Sequence, residues 1–429
     1  MKKAIVVGSG AGGATIAKEL QGRFEVTVLE RGRAFRPLTW SMRLLEGLKK
    51  SGLLFDEREI QAAFPALRIW KTEEMVLVAG RGLGGTTTLC TGNALRMDAD
   101  LRALGIDLDE EFEELQREIP ISTAHQRRWR PITRRLFDVC QDMGLNPQPT
   151  PKMGHYEQCA HCGRCVLGCP HGVKWDSRQF LRIAADRGAR LVTGCRVEAV
   201  QIEEGWATGV WSRKGGLRRF YPADLVVLAA GGLATPVILQ QSGIACEPHL
   251  FVDPVLCVAT RLEGCQQQAE VPMPFVVQQE RYILSPYFDY LSYLFNRSWR
   301  PPAGGILSLM IKLADDNRGS VSRSGMRKVL SAQDRGRLAN GVQMCTEILE
   351  RWGADRKSIF LGTVNAGHPG GMLPLTAAEA EHLHPGRLPE NLYLADPTLF
   401  PHSLGNPPIL TIVALAKRVS NVCARRLGD

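Results

Sequence analysis

The strongest constraint on the fold lies in the first thirty residues. Ala4-Ile-Val-Val7 is a short apolar run, Gly8-Ser-Gly10-Ala11-Gly-Gly13 follows, a helical pattern continues through Ala17 and Leu20, and Val26-Thr-Val-Leu-Glu30 reads as a second strand ending on an acid. Strand, glycine turn, helix, strand and terminal carboxylate form the unit that holds a dinucleotide. Gly8 makes the turn, Gly10 lets backbone approach a pyrophosphate, and Gly13 lets the helix lie close to the sheet. Ala11 opens the helix whose N-terminal amides receive the anionic oxygens. Glu30 is placed to hold ribose hydroxyls, and because it would repel a 2'-phosphate, Arg31 and Arg33 read as solvated loop charges.

A second constraint comes from Cys159 to Pro170, which reads C-A-H-C-G-R-C-V-L-G-C-P. Four thiols spaced two, two and three residues apart and closed by proline match the ligand run of a bacterial ferredoxin. Zinc usually takes two separated pairs of ligands, whereas thiols at i, i+3 and i+6 wrap one corner of a cubane. The spacing therefore predicts an iron-sulfur cluster on Cys159, Cys162, Cys165 and Cys169, with zinc and purely structural thiols as alternatives. Either Cys169 completes a four-iron cluster (4Fe-4S), or a distant thiol such as Cys195 or Cys140 does; a three-iron cluster (3Fe-4S) is also open. A cluster passes electrons singly, while a dinucleotide carrier handles pairs.

With 429 residues, 44% of them hydrophobic, the chain can bury a large core and divide into two or three units. No apolar run reaches the roughly 18 residues of a membrane span. The first strand begins at Ala4, which leaves no room for a signal peptide, and four of the twelve cysteines sit in metal-ligand spacing, so a reducing, cytoplasmic setting is expected. The net charge of +9 is dispersed except at Arg127, Arg128, Arg130, Arg134 and Arg135. No nucleic-acid reader motif accompanies it. Those arginines read as a solvated helix face or as a docking patch for an acidic electron-transfer partner.

Residues 40 to 75 read as helical and polar, after which Met75-Val-Leu-Val-Ala-Gly80 opens a second glycine segment, Gly80-Arg81-Gly82-Leu-Gly84-Gly85-Thr86. Residues 124 to 145 look helical. Alternating stretches from Arg190 to Tyr221 suggest a meander, Asp224 to Ala230 a buried strand, and Thr235 to Gln241 a helix. Residues 250 to 313 are aromatic and strand-like, Asp334 to Trp352 is an amphipathic helix, and Pro407 to Leu427 is the last.

Gly80-Arg-Gly-Leu-Gly-Gly-Thr-Thr, Leu228-Ala-Ala-Gly-Gly-Leu-Ala-Thr-Pro236 and Asn391-Leu-Tyr-Leu-Ala-Asp-Pro-Thr-Leu-Phe-Pro-His-Ser-Leu-Gly-Asn-Pro407 resemble the successive signatures of the glucose-methanol-choline (GMC) oxidoreductases. With the N-terminal unit they run in family order across nearly the whole chain. The resemblance implies an α/β fold: a Rossmann-like FAD-binding domain assembled from residues 1–123, 176–248 and 386–429, and a substrate domain on an antiparallel sheet, 249–385. The iron-sulfur loop insertion would occupy 124–175. Beyond Gly8, Gly10, Ala11, Gly13 and Glu30, it implies flavin contacts at Arg31, Arg81, Gly84, Gly85, Thr86, Cys90, Val197, Ala230, Gly231, Asp396, Asn406 and Pro407. The positive end of the last helix would face the flavin pyrimidine ring.

His368, in Gly367-His-Pro-Gly-Gly-Met372, resembles the family's active-site histidine, and Asn406 matches its second active-site position. A neutral imidazole is the natural acceptor for a hydroxyl proton while hydride leaves carbon. His402 is a competing base, and His382 and His384 read as surface residues. The chain departs from the family at Cys90, where many members carry asparagine, in a short substrate domain, and in the cysteine run, which resembles an insertion in iron-sulfur-containing relatives. The function implied is an FAD-dependent dehydrogenase that oxidises an alcohol or polyol and relays electrons singly to an external acceptor protein. Alternatives are a reductase running the opposite way, toward a carbonyl or C=C substrate, and an electron-transfer subunit of a hetero-oligomer. Tyr282, Tyr287, Phe288, Tyr290, Tyr293 and Phe295 read as core or as pocket lining.

Overall fold

The computed structural model describes residues 1–38, 40, 42–52 and 56–428. The first apolar run is β1 (Lys2–Val7), the middle strand of a five-stranded sheet. It pairs in parallel with β2 (Phe24–Glu30) on one side and with Leu225–Leu228 on the other; Arg190–Thr193 and Leu392–Leu394 form the edges. Strands buried on both faces need continuous apolar sequence, which is what Ala4 to Val7 and Leu225 to Leu228 supply. The five strands come from three widely separated parts of the chain, so this layer closes only when the last segment returns.

Between β1 and β2 runs α1 (Ala11–Glu19), packed against the final helix, Ile409–Leu427, and against Arg178–Asp186. The turn into it is tight. Gly8 has φ +98°, and a Cβ at Gly13 would lie 2.1 Å from the Gly8 carbonyl oxygen. Beyond the sheet, Cys195–Glu203, Trp206–Lys214 and Leu217–Pro222 form the expected antiparallel meander.

The second large sheet has nine strands. Its centre is Val255–Arg261 paired with Ile306–Leu313, which continues to Tyr282–Pro286 and Phe275–Gln278. The helix Ala332–Trp352 covers one face, started by a capping box between Ser331 and Asp334 and ended by Gly353 in the left-handed region.

Strand pairing crosses the domain boundaries expected from the sequence. Leu67–Lys71 and Val76–Gly80 belong to the second sheet, joined to it through Asn365–Ala366, and Gln148–Pro149 adds its far edge. The stretch 40 to 75 is thus not all helix: Leu67–Lys71 is a strand, paired antiparallel with Val76–Gly80. Residues 41 and 53–55 of that stretch lie outside the described residues. The last helix starts at Ile409 with Pro408 as its N-cap, so Pro407 and Pro408 precede its first turn instead of occupying it.

A methyl group at Gly12 would sit 1.6 Å from the Ala395 carbonyl oxygen, backbone that cannot yield without moving the Leu392–Leu394 edge strand. Gly12→Ala should therefore destabilise the protein by about 3 kcal/mol or more. Urea denaturation followed by fluorescence measures it, and an unchanged midpoint would contradict the packing of α1 against that segment.

Candidate functional site

The loops expected to hold a dinucleotide converge. Glu30 is buried at the end of β2, accepting hydrogen bonds from Ser9 Oγ (2.7 Å) and the Gly32 amide (2.7 Å). The strand Val76–Gly80 delivers the second glycine segment across the first: a Cβ on Gly85 would come within 3.0 Å of the Gly10 Cα. Gly10 itself faces open space, with nothing within 4 Å of its Cβ direction. Thr86 Oγ1 accepts from the Gly80 amide at 3.0 Å and folds the segment back, with Gly84 and Gly85 both at positive φ. Arg31 is not a freely solvated loop charge, since burial lowers it from its usual value, with Arg81, Arg68 and Arg196 adding to the effect and Glu30 opposing it. Asp396 is buried and accepts from the Gly231 amide (2.8 Å), Thr235 Oγ1 (2.5 Å) and the Thr398 amide (2.9 Å). It thereby pins the Ala230–Gly231 turn to the C-terminal segment. Val197 lies buried in the meander.

His368 and the loop that leads into Asn406 both reach a residue that sequence reasoning missed, Asp253. This aspartate is 1% exposed at a backbone φ of +54°, a region few non-glycine residues adopt. Its carboxylate pairs with Lys312, accepts from Ser403 Oγ, and lies 3.4 Å from the Gly405 amide, next to Asn406. His368 Nδ1 stands 3.5 Å from Asp253 Oδ2, near enough for charge attraction but not closed into a directed hydrogen bond. The imidazole keeps 24% of its side-chain surface exposed. Asn406 donates Nδ2 to Gln278 Oε1 at 3.3 Å, and its buried Oδ1 has no partner among the described residues. His402 is exposed, whereas His384 is half-buried, bonded through Nε2 to the Pro389 carbonyl and set edge-on to Tyr393.

Beneath this site a second buried pair, Lys328 and Asp315 at 2.6 Å, joins the first: the Asp253 amide donates to Asp315 Oδ1 at 2.8 Å. Burial pushes Asp253 up, but Lys312 and His368 overcome that and hold it at about 2. His368 is lowered below its usual value by burial first and by Lys312 second, against the opposing pull of Asp253. An imidazole so placed is neutral near pH 7. The signal in the sequence was a lysine inside the apolar strand Ile306–Leu313, where a buried charge requires a partner.

All four cysteines of the run, Cys159, Cys162, Cys165 and Cys169, border one small cavity, with Tyr156, Lys174 and Glu270. Cys140 and Cys195 are buried elsewhere, in the cores of the two sheets. Among the described residues no three His, Cys, Asp or Glu side chains close around a single ion. Cys165 is buried and the other three are partly exposed. The turn Cys165–Leu167 packs on Gly85–Leu89, the second glycine segment, and the Leu38 amide donates to the Leu167 carbonyl at 3.0 Å. Lys174 joins the two loops: its ammonium donates to the carbonyls of Thr87 (3.1 Å), Thr88 (2.8 Å), Cys90 (2.9 Å) and Cys165 (3.1 Å). Cys90 is held in the same knot, its sulfur 3.1 Å from the Thr87 carbonyl and 3.8 Å from Lys174 Nζ. Lys152, fully buried, donates to Asn93 and to the Pro272 carbonyl, and burial lowers it to about 7. Tyr287, Phe288 and Tyr290 border a cavity shared with Gly163 and Val166 of the cysteine loop, and Phe288 stacks with Tyr290 and Tyr293.

The model of the GMC oxidoreductase family matches residues 2–263. The chain belongs to the GMC oxidoreductases, an FAD-binding family of enzymes. Over nearly its full length it is similar to the uncharacterized protein MJ1450 of Methanocaldococcus jannaschii, 25% identical over 419 residues that cover 96% of this chain and 97% of that one. A GMC-type oxidoreductase of Mycobacterium tuberculosis is 31% identical over 279 residues, 61% of this chain and 42% of that protein. The long-chain-alcohol oxidase FAO3 of Arabidopsis thaliana is 26% identical over 288 residues, 59% of this chain and 36% of that one. Apart from the archaeal protein, then, the match spans less than half the length of these relatives. Among solved structures, pyridoxine 4-oxidase from Mesorbium loti superposes with a TM-score of 0.71 at 15% identity, covering 98% of this chain and 99% of that one, which establishes the shared fold. No helix among the described residues is long and apolar enough to cross a membrane.

Removing one member of a buried ion pair strands the other. Asp315→Ala should cost about 3–5 kcal/mol, read by urea denaturation. Because the folded value of Asp253, about 2, lies below the roughly 3.9 of an unfolded aspartate, its contribution is present above pH 4 and is lost as pH falls toward 2. Acid unfolding of Asp253→Asn should accordingly be less steep in that window.

Proposed function

We propose that this GMC oxidoreductase is an FAD-dependent dehydrogenase that oxidises an alcohol and passes the electrons singly through an iron-sulfur cluster to an acceptor protein. The observation that carries the reading is the shared Lys174, which ties the cysteine loop to the glycine segment expected beside the flavin. When bound, FAD supplies a two-electron hydride acceptor, and a cluster supplies a one-electron relay.

The residues present fit both groups. For the flavin, the open face at Gly10, the crossing glycine segment and the unpartnered Asn406 Oδ1 leave room and bonding capacity. Gly8, Gly10, Ala11, Gly13, Glu30, Arg31, Arg81, Gly84, Gly85, Thr86, Cys90, Val197, Ala230, Gly231, Asp396, Asn406 and Pro407 are proposed to hold it. For the cluster, four thiols share one cavity, and the charge argument is independent of spacing. Lys174 is 2% exposed, and among the described residues it bonds to backbone carbonyls and pairs with no carboxylate. Buried cations need compensating negative charge, and thiolate ligands around a cluster provide it.

His368 is the proposed base. It takes the hydroxyl proton as hydride leaves the carbinol carbon, and Asn406 holds the same oxygen. The alcohol thus loses two electrons and two protons to become a carbonyl. On the outer side of the cysteines, Arg128 donates to the Glu157 carbonyl at 2.6 Å and Arg130 lies 3.9 Å from Glu270, while Arg134 and Arg135 turn to the backbone carbonyls of Trp129 and Trp352. Arg127, Arg128 and Arg130 are the part of the basic patch fit to receive an acidic acceptor.

The named similarity to alcohol oxidases supports a second reading, in which oxygen removes the electrons directly. Anaerobic mixing with a panel of primary alcohols, followed by optical and electron paramagnetic resonance spectra, separates the two. The dehydrogenase reading expects flavin bleaching together with a new cluster signal, and little peroxide on admitting air. Bleaching with an unchanged cluster and stoichiometric peroxide would establish the oxidase. His368→Ala should lower the bleaching rate by about 10²–10⁴-fold. Cys165→Ser should remove the cluster signal and leave bleaching intact.

A further inference from the structure

We propose that Asp253 and Lys312 form a buried positioning pair that sets the tautomer and basicity of His368. The inference rests on His368 being the base, and it concerns groups that lie behind the histidine.

The Asp253 carboxylate is the meeting point of three separate chain segments. One oxygen takes Ser403 Oγ and faces the Gly405 amide, which anchors the loop that ends at Asn406. The other oxygen takes Lys312 Nζ from the central strand Ile306–Leu313 and faces His368 Nδ1 at 3.5 Å. Both charged side chains are at most 2% exposed, so water does not screen them. The left-handed backbone at Asp253, φ +54°, costs energy that the surrounding hydrogen bonds must offset. The Asp253 and Val252 amides both donate to Asp315, itself neutralised by Lys328, and this holds the strained turn in place.

A carboxylate opposite Nδ1 favours the tautomer that carries its hydrogen there, which leaves the lone pair on Nε2, the only other ring nitrogen. Among the described residues the buried Nδ1 has no other partner, so no contact there selects the opposite tautomer. Lys312 has the complementary role. Left alone with the imidazole, a buried carboxylate would stabilise imidazolium and spoil the base; with Lys312 beside it, orientation is kept while most of its field is cancelled. The charged groups facing His368 are these two, with Asp315 and Lys328 behind them.

The two members therefore have different signatures. In Lys312→Met the carboxylate is left to the histidine, so the His368 pKa should rise by about one unit or more, and the acid limb of anaerobic flavin reduction should move to higher pH by the same amount. In Asp253→Asn the limb should not rise, while the rate at the plateau should fall on the order of tenfold to a hundredfold, less than the loss of the base itself. A readout without turnover is 15N NMR of histidine-labelled protein, with His368 assigned by its loss in His368→Gln. Wild type should show Nδ1–H, and Asp253→Asn a mixture of tautomers. Should either single variant fail to fold, the double variant Asp253→Asn/Lys312→Met removes both charges together and should fold, with mixed tautomers and a wild-type acid limb. An unchanged tautomer in Asp253→Asn or in the double variant, or an acid limb unmoved in Lys312→Met, overturns the proposal. If instead flavin reduction is insensitive to His368→Gln while the tautomer shifts appear, the pair positions His368 but His368 is not the base.

Discussion

One buried ammonium, that of Lys174, determines how the two halves of the proposed electron path meet. Its four carbonyl partners lie on two loops, three between Thr87 and Cys90 and one at Cys165. Each bond is charge-assisted and shielded from water, so sliding one loop relative to the other breaks several at once. Carbonyl dipoles solvate a cation but do not neutralise it. Lys152, bonded to an amide oxygen and to backbone carbonyls, is instead lowered by burial to about 7. The cysteine cavity thus borders the Lys174 ammonium.

The substrate side solves the same electrostatic problem from within the chain. Lys312 and Lys328 each have an aspartate in contact, and the two pairs share a turn. The Asp253 site is neutralised by its own lysines, whereas among the described residues Lys174 has no carboxylate partner. That difference motivates the proposal of a cofactor at the cysteine loop and of an orienting role for the Asp253 turn.

Local patterns were legible wherever a segment's own backbone geometry carried the information. The turn at Gly8, the buried strand Leu225–Leu228 and the helix Thr235–Gln241 need only short-range rules, and each was read close to its observed limits. The signatures that led to the GMC family likewise lie in continuous stretches. Strands such as Leu67–Lys71 were misread, because their pairing partners, Val76–Gly80 and through it Asn365–Ala366, come together only in the folded chain. The buried ion pairs were missed for a related reason: Asp253 and Lys312 are 59 residues apart, and a lone charged residue in an apolar run does not name its partner. Lys174 was invisible in the same way, four residues past the closing proline and indistinguishable from a surface lysine.

The central claim is that the cysteine cavity holds thiolate-bound iron beside a flavin in one polypeptide. Iron, acid-labile sulfide, zinc and flavin content of protein purified without oxygen test it most directly. The account predicts three or four irons with about four sulfides for each flavin, lost together in Cys165→Ser. Full flavin occupancy with neither iron nor sulfide, or with one zinc in their place, would contradict it.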